Sequence, residues 1–562
     1  MLKQKSWSFA LISLVSYALI AVAYFGWPVL AHPYHYFVGD GADTSLFMWM
    51  LNWWPFALSH HISPFYTNYV WYPQGYSIAN ATAVPSYALL FWPITTHFGA
   101  QISYNLLAIF LSAVNAWAMY GFVWFLTKRF SAAWVGGFIF GFSTYVIAQT
   151  MNGHLNLISL YVLPLLGWTL CAFCQGKGRT WVTLLLLIAI FSLSFGTSRE
   201  IFAIIWVIGT CTAVLALYYF KHYRNQILKS YGLCIIASAV TLCIYWPYFW
   251  AFIHYAHTTR TGAAWSTEGF FWNSILPTRI SLTNLLLPEG LISKLSTQPL
   301  ATLTNYMGLF VIVLLLFWLK KAFKSEIRAF LVWGWFIGFI ASLGPFILVT
   351  DHLFSHIFSP TLLLAYLPFV DKIIAPRFTL CAWFFLSLIV AMWIKQSTLL
   401  PWKKALIIIL SMISILPSFS YQKRTWYQTT LPLQFFQQHR YERYCHPNPH
   451  VWILTAVPWL GQSVRWQIAS GMAFKQYYGY VNYFPPLGYP HYNLAQYTIQ
   501  RTFTLEDAEH LKQFIAQQGI SCLITDPTTI KARPFLFSDL PKPAYAGEGV
   551  VVFHFPPRYY VQ

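Results

Sequence analysis

Charge is what this 562-residue chain has least of: Asp, Glu, Lys and Arg make up 9% of it, where a soluble domain carries roughly a quarter. That scarcity excludes a water-soluble enzyme of ordinary composition. Acid is scarcer than base, with 15 Asp and Glu against 34 Lys and Arg. In a soluble protein a net charge of +19 points to an anionic partner such as nucleic acid. Here the basic residues stand in short clusters between apolar runs, as topology determinants do, and no nucleic-acid partner is expected.

Cysteine is also sparse. The eight cysteines are too few and too dispersed for a disulfide scaffold. Cys171, Cys174, Cys211, Cys234, Cys243 and Cys381 lie in or beside apolar runs, where a small apolar side chain suffices, and Cys171-x-x-Cys174 reads as helix packing. Cys445 and Cys522 fall in a polar tail and can bridge in an oxidising compartment, although their separation makes a weak case from sequence. No metal is expected at either.

What the chain has in abundance is apolar surface, 57% hydrophobic residues and 20% aromatic. With about 20 residues per span, helices are expected near 8–28, 102–127, 131–150, 155–174, 181–198, 201–220, 230–252, 306–320, 328–349, 375–394 and 404–419. If these about eleven spans alternate, the clusters Lys3/Lys5, Lys128/Arg129, Lys177/Arg179, Lys221/Arg224/Lys229, Lys320/Lys321/Lys324/Arg328 and Lys395/Lys403/Lys404 share one face. That is the positive-inside pattern, with a cytoplasmic N-terminus and the apolar N-terminal stretch retained as a first helix.

Residues 84–98 are apolar but hold Pro85 and Pro93, and counting them as a span breaks the charge pattern, so an interfacial or re-entrant segment is expected there. Residues 31–101 then form one long outer loop without Lys or Arg. Its Trp49, Trp53, Trp54, Tyr66, Trp71 and Tyr72 suit the headgroup layer, and 44–60 reads as a short helix on the membrane face, capped by Asp43 or Thr44. Further outer loops span about 253–305 and 350–374.

After Pro417 the composition turns polar. An odd number of spans puts this tail, 420–562, outside with the loops, as a domain apart from the membrane domain 1–419. Short β-type runs at 451–454, 522–525 and 550–553 flank a helical pattern at 505–515 that follows Thr504, which predicts a small α/β domain.

Only Asp40, Asp43, Glu200, Glu268, Glu289, Glu326, Asp351 and Asp371 precede the tail, and all but Glu326 fall at outer helix ends or in outer loops. That distribution disfavours an ion-coupled transporter, which needs ionisable groups near mid-membrane. Asp40 and Asp43 flank two small residues in a Gly-rich turn. Such a pair can share a proton for general-base work or hold a divalent cation, and a polar turn with a helix cap remains an equal reading. His154 stands in a tight outer turn, where it can meet a phosphate or simply close the turn. Arg199 and Glu200 are candidates for a local ion pair. Arg377, after Pro376 at the mouth of the tenth span, can hold a lipid phosphate by a forked hydrogen bond or snorkel to the interface.

The runs Gly41-Ala42-Asp43-Thr44-Ser45-Leu46-Phe47-Met48-Trp49, Trp53-Trp54-Pro55, Pro64-Phe65, Trp71-Tyr72-Pro73-Gln74-Gly75, Val84-Pro85, Tyr104-Asn105 and Gly153-His154-Leu155-Asn156 resemble a group of bacterial multi-pass glycosyltransferases of the GT-C superfamily. The likeness covers about the first 200 residues, with weaker echoes in Ala375-Pro376-Arg377-Phe378 and in Gly479-Tyr480. It implies a polytopic helical fold in the bacterial cytoplasmic membrane, a polyprenyl-phosphate sugar as donor and a cell-envelope glycan or lipid as acceptor on the outer face. In that superfamily a first-loop acid is the catalytic base or positions the acceptor, which maps onto Asp43 first and Asp40 second. Thr44 stands where the group usually has Pro, and Asn284 where relatives often have Asp. The resemblance thus implies an inverting transferase, with His154, Glu200, Arg377 and Asn284 as substrate-binding candidates and a divalent metal as an open possibility. A lipid or polysaccharide flippase, or an inactive GT-C-like assembly protein, are the competing readings.

Overall fold

Each of the eleven apolar runs contains helix in the computed structural model, which describes residues 2–39, 42–255, 307–319, 325–343, 346–349, 352–358, 373, 375–415, 426–428, 433–445, 450–455, 461–481, 486 and 505–556. Among the described residues seven helices are long and apolar enough to cross a membrane: Trp7–Ala31, Ala100–Thr127, Phe130–Met151, Thr180–Thr197, Arg199–Tyr219, Lys221–Ile244 and Ala375–Gln396. The runs that give shorter helices are Val162–Cys174, Leu309–Leu319, Glu326–Ser342 and Pro401–Ser414. The chain is an α-helical polytopic membrane protein with an α/β C-terminal domain.

Proline explains where the expected spans stop short. The 230–252 run is divided at Tyr245 into Arg224–Ile244 and Trp246–His254, because Pro247 lacks an N–H and sits only at the start of a new helix. The 328–349 run leaves the helix before Gly344-Pro345, and its end, Phe346–Val349, pairs antiparallel with His352–Phe358 instead. Residues 84–98 form two short helices, Pro85–Leu90 and Trp92–Phe98, neither of spanning length.

The chain divides into two units. The first comprises 1–27, 107–244 and 264–425, the second 28–106, 245–263 and 426–562. In the first unit, small residues let helices approach closely. A Cβ on Gly338 would stand 2.7 Å from the backbone nitrogen of Ala382, and one on Gly141 would meet Ser112 and Ala116. The Ala375–Gln396 helix is thereby sheathed by its neighbours and most of its side chains are buried.

The second unit joins the segment 28–106 to the tail. Its five-stranded sheet runs in the order Tyr545–Gly547, Val550–His554, Cys522–Thr525, His450–Ile453, Lys475–Gln476. The last three strands are parallel and the first two antiparallel to their neighbours. The three β-type runs and the helix, Leu505–Gln518, stand where the sequence pattern puts them. Cys445 and Cys522 are joined in a disulfide within the core formed with Phe435, Phe436, Tyr441 and Trp466.

The helix expected on the membrane face, Ala42–Ser59, is instead a core element of this second unit. Trp49, Trp53 and Trp71 are fully buried. Protein atoms satisfy the indoles expected to meet a headgroup layer: Trp53 Nε1 donates to the Pro64 carbonyl at 2.9 Å and Trp54 Nε1 to that of Ala83 at 3.0 Å. Aromatic residues in a loop without Lys or Arg read alike for an interface and for a core. What separates the two is the burial partner, which comes from the loop itself for Trp53 and Trp54 and from the tail for Trp49.

Candidate functional site

Asp43 lies in the first turn of Ala42–Ser59, where a negative charge is favoured by the helix dipole. The helix begins at Ala42, ahead of both expected caps, so Asp43 and Thr44 lie inside its first turn. The Asp43 carboxylate Oδ1 accepts a hydrogen bond from the Tyr480 hydroxyl at 2.7 Å. Tyr480 belongs to the Gly479-Tyr480 echo of the family in the tail, to which the sequence alone assigns no role. Asp40, the expected second carboxylate, lies outside the described residues, as does Asn284.

The placement of Tyr480 follows from how the tail is stitched to the first loop. Gln476 N donates to the Tyr69 carbonyl at 3.0 Å, and Tyr72 N donates back to the Gln476 carbonyl at 3.1 Å. Beside this ladder, buried Gln467 accepts from Trp49 Nε1 at 2.8 Å and from Gln476 Nε2 at 3.1 Å. Its own amide donates to the Tyr69 and Phe474 carbonyls at 2.7 and 2.9 Å. Gln467 thus uses both ends of its amide, which fixes the helix of Asp43 against the strand that leads to Tyr480. Gly479 presses on Val70 so closely that a Cβ there would collide with it. Tyr478 packs edge-on against Trp71, and burial pushes its phenol above the ordinary range, so it stays protonated.

The approach to Asp43 from the other side is clamped by Tyr104 and Asn105, both in the runs that carry the resemblance. Asn105 Oδ1 accepts from Val38 N at 3.2 Å, its Nδ2 donates to the Tyr36 carbonyl at 3.0 Å, and Tyr104 donates to the Val38 carbonyl at 3.0 Å. The strand Tyr36–Val38 also pairs antiparallel with Trp426–Gln428. Arg465, nearly fully buried, stacks its guanidinium 5.0 Å from the centroid of Phe37.

In the first unit, Glu200 forms an ion pair with Arg377, where the sequence suggests Arg199 as its partner. Ser198 caps the Arg199–Tyr219 helix, its hydroxyl accepting from Ile201 N at 3.2 Å, which puts Glu200 in the first turn. Arg377 lies in the turn Ala375–Phe378 at the head of Thr379–Gln396. The Arg377 and Glu200 side chains are 17% and 32% exposed, so the pair is only partly buried. Tyr145 is within electrostatic range of both, and its hydroxyl is buried without a hydrogen-bond partner among the described residues. The sequence offers no signal for Tyr145, a tyrosine inside an apolar run. His154 is held in its own turn, with Nδ1 2.6 Å from Gln149 Oε1 and its backbone N on the Gln149 carbonyl.

A divalent metal held by the protein needs several hard oxygen or nitrogen ligands at one point. Among the described residues no three His, Cys, Asp or Glu side chains gather, and the group that meets Asp43 Oδ1 is a phenol.

No family model matches the chain, and no curated protein matches it. Solved structures do. The crystal structure of the Archaeoglobus fulgidus oligosaccharyltransferase tethered with an acceptor peptide superimposes with a TM-score of 0.52 at 13% identity, covering 94% of this chain and 70% of that one. The same enzyme in its apo form gives 0.51 at 14% identity, with 94% and 71% covered. The apo structure of ArnT from Cupriavidus metallidurans aligns at 10% identity over 99% of both chains, with a TM-score of 0.38. At such identities the likeness establishes the fold alone, one shared with that oligosaccharyltransferase.

Proposed function

We propose that this chain is an inverting membrane glycosyltransferase, which moves a sugar from a polyprenyl-phosphate donor to a cell-envelope glycan or lipid on the outer face of the bacterial cytoplasmic membrane. The observation that carries this reading is the Asp43 carboxylate, held at the start of the first-loop helix by a hydroxyl from the tail, in a chain that shares the fold of an oligosaccharyltransferase. The basic clusters support a cytoplasmic N-terminus. The Cys445–Cys522 disulfide supports an extracytoplasmic domain at 420–562 beyond a membrane domain at 1–419, because such bonds persist in oxidising compartments.

In this mechanism an acceptor hydroxyl attacks the anomeric carbon as the bond to the phosphate oxygen breaks, and the configuration inverts. Asp43 takes the hydroxyl proton, with Asp40 as the second acid of the same turn. The polyprenyl phosphate departs with the bonding electron pair. Phosphate is already a competent leaving group, so what remains for the protein is to place the reactants and meet the departing charge. Arg377 suits the second role, because Glu200 fixes one side of its fork and the remaining N–H groups can donate to phosphate, with the Tyr145 hydroxyl as a further donor. His154 and Asn284 are assigned to substrate contacts by the same reading.

The test is transfer from radiolabelled polyprenyl-phosphate sugars by purified chain in lipid vesicles. Loss of transfer in Asp43→Asn is the expected result, and undiminished transfer would overturn the assignment.

A further inference from the structure

Tyr480 donates to the one described carboxylate of the first-loop turn, yet it lies 437 residues away in the sequence. Nothing about a small extracytoplasmic domain requires it to reach that turn. The tail nevertheless spends three devices on the approach: the backbone ladder between Gln476 and residues 69–72, the saturated amide of Gln467, and a glycine at 479 where a side chain would collide with Val70. All three lie within thirteen residues before Tyr480, on one continuous segment.

We infer that Tyr480 is a positioning residue for the Asp43 carboxylate, and that the tail is thereby a working part of the site. The inference rests on the reading of Asp43 as the base. A phenol donating to Oδ1 restrains the rotation of the carboxylate and so sets the direction in which it meets the acceptor hydroxyl. It also favours the ionised form, since a hydrogen bond to a charged group stabilises that group over its neutral state. The consequence is a trade: Asp43 is a somewhat weaker base, but it remains ionised to lower pH and points one way.

The experiment uses the full chain in vesicles and two readouts. The first is labelling of Asp43 by dicyclohexylcarbodiimide, which reacts with a protonated carboxyl, followed by mass spectrometry across pH. Tyr480→Phe is expected to move the labelling midpoint upward by roughly one pH unit. An unchanged midpoint overturns the inference, whatever the chain catalyses. The second is transfer from radiolabelled polyprenyl-phosphate sugars. Tyr480→Phe is expected to lower kcat about ten-fold with KM for the lipid donor unchanged, and to shift the acid limb of the pH profile in the same direction as the labelling. In the Asp43→Asn background the same substitution is expected to have no further effect, and an additive loss would count against a role through Asp43. Resistance of the tail to limited proteolysis equal to that of the wild type shows that Tyr480→Phe has folded. If it has not, Tyr480→His supplies a second variant that keeps a donor. Transfer in Asp43→Asn sinks the reading of the base, whereas a wild-type midpoint and profile in Tyr480→Phe sinks only the present inference.

Discussion

Arg377 and Glu200 are 177 residues apart in the chain and close an ion pair between the heads of two helices. The pair is partly buried, so removing one partner leaves the other charge imperfectly solvated. Glu200→Gln is expected to cost roughly 1–3 kcal/mol of stability, read as a lower Tm in detergent. Arg377→Lys keeps the charge but loses the fork. It is expected to reduce transfer about ten-fold or more, chiefly through a raised KM for the lipid donor, because an ammonium cannot serve Glu200 and a phosphate in the same planar geometry.

Asp43→Asn keeps the shape of the side chain and removes the base. A loss of about 10²- to 10⁴-fold in kcat is expected, measured with lipid-linked donors. The sign of the pH dependence follows from the role. Protonating Asp43 removes the base, so activity should rise with pH through an acid limb and show no such limb in the variant.

The Cys445–Cys522 bond closes a separation of 77 residues inside the core of the tail. By the chain-entropy argument its loss removes roughly 4 kcal/mol. Cys445→Ser should make the tail cleavable by limited proteolysis at temperatures where the wild type resists, while the helices of the first unit stay protected.

Gly338→Leu should disturb the site through the helix that carries Arg377. Its Cβ would stand 2.7 Å from Ala382 N, so the two helices must part. A fall in stability of roughly 1–3 kcal/mol is expected, with loss of transfer. Gly209 sits in the Arg199–Tyr219 helix with open space around it. Gly209→Ala is therefore expected to gain up to about 1 kcal/mol, and a thermal melt of the two variants side by side separates packing from propensity.

The helical scaffold is legible in the sequence because its signal is local. Apolar length marks each helix, and Lys and Arg between the runs mark the turns. The departures have local causes too: the 230–252 run continues past Pro247 and the 328–349 run past Pro345, since both sides of each break are apolar. The tail's α/β pattern is legible for the same reason, in runs such as Val550-Val551-Val552. The site is less so. Asp43 stands out because acids are rare, but Tyr480 is one tyrosine among 36, and nothing near it in sequence points to an acid in the first loop. Adjacency suggests Arg199 for Glu200, whereas neighbours on a helix point apart and leave Glu200 facing Arg377. The loop tryptophans have the composition of a membrane interface, and what distinguishes a core is their burial partners, Pro64 and Ala83 within the loop and Gln467 far from it.

The bond from Trp49 to Gln467 also sets an order in time. Its two ends are 418 residues apart, and at typical synthesis rates of about 5–20 residues per second the first loop waits tens of seconds for its partner. Throughout that interval Trp49 lacks this partner and Trp71 lacks Tyr478. The growing chain therefore carries a greasy, half-made surface until its last quarter is synthesised, and a nascent chain halted before Gln462 should be a substrate for quality control even with every preceding helix in place.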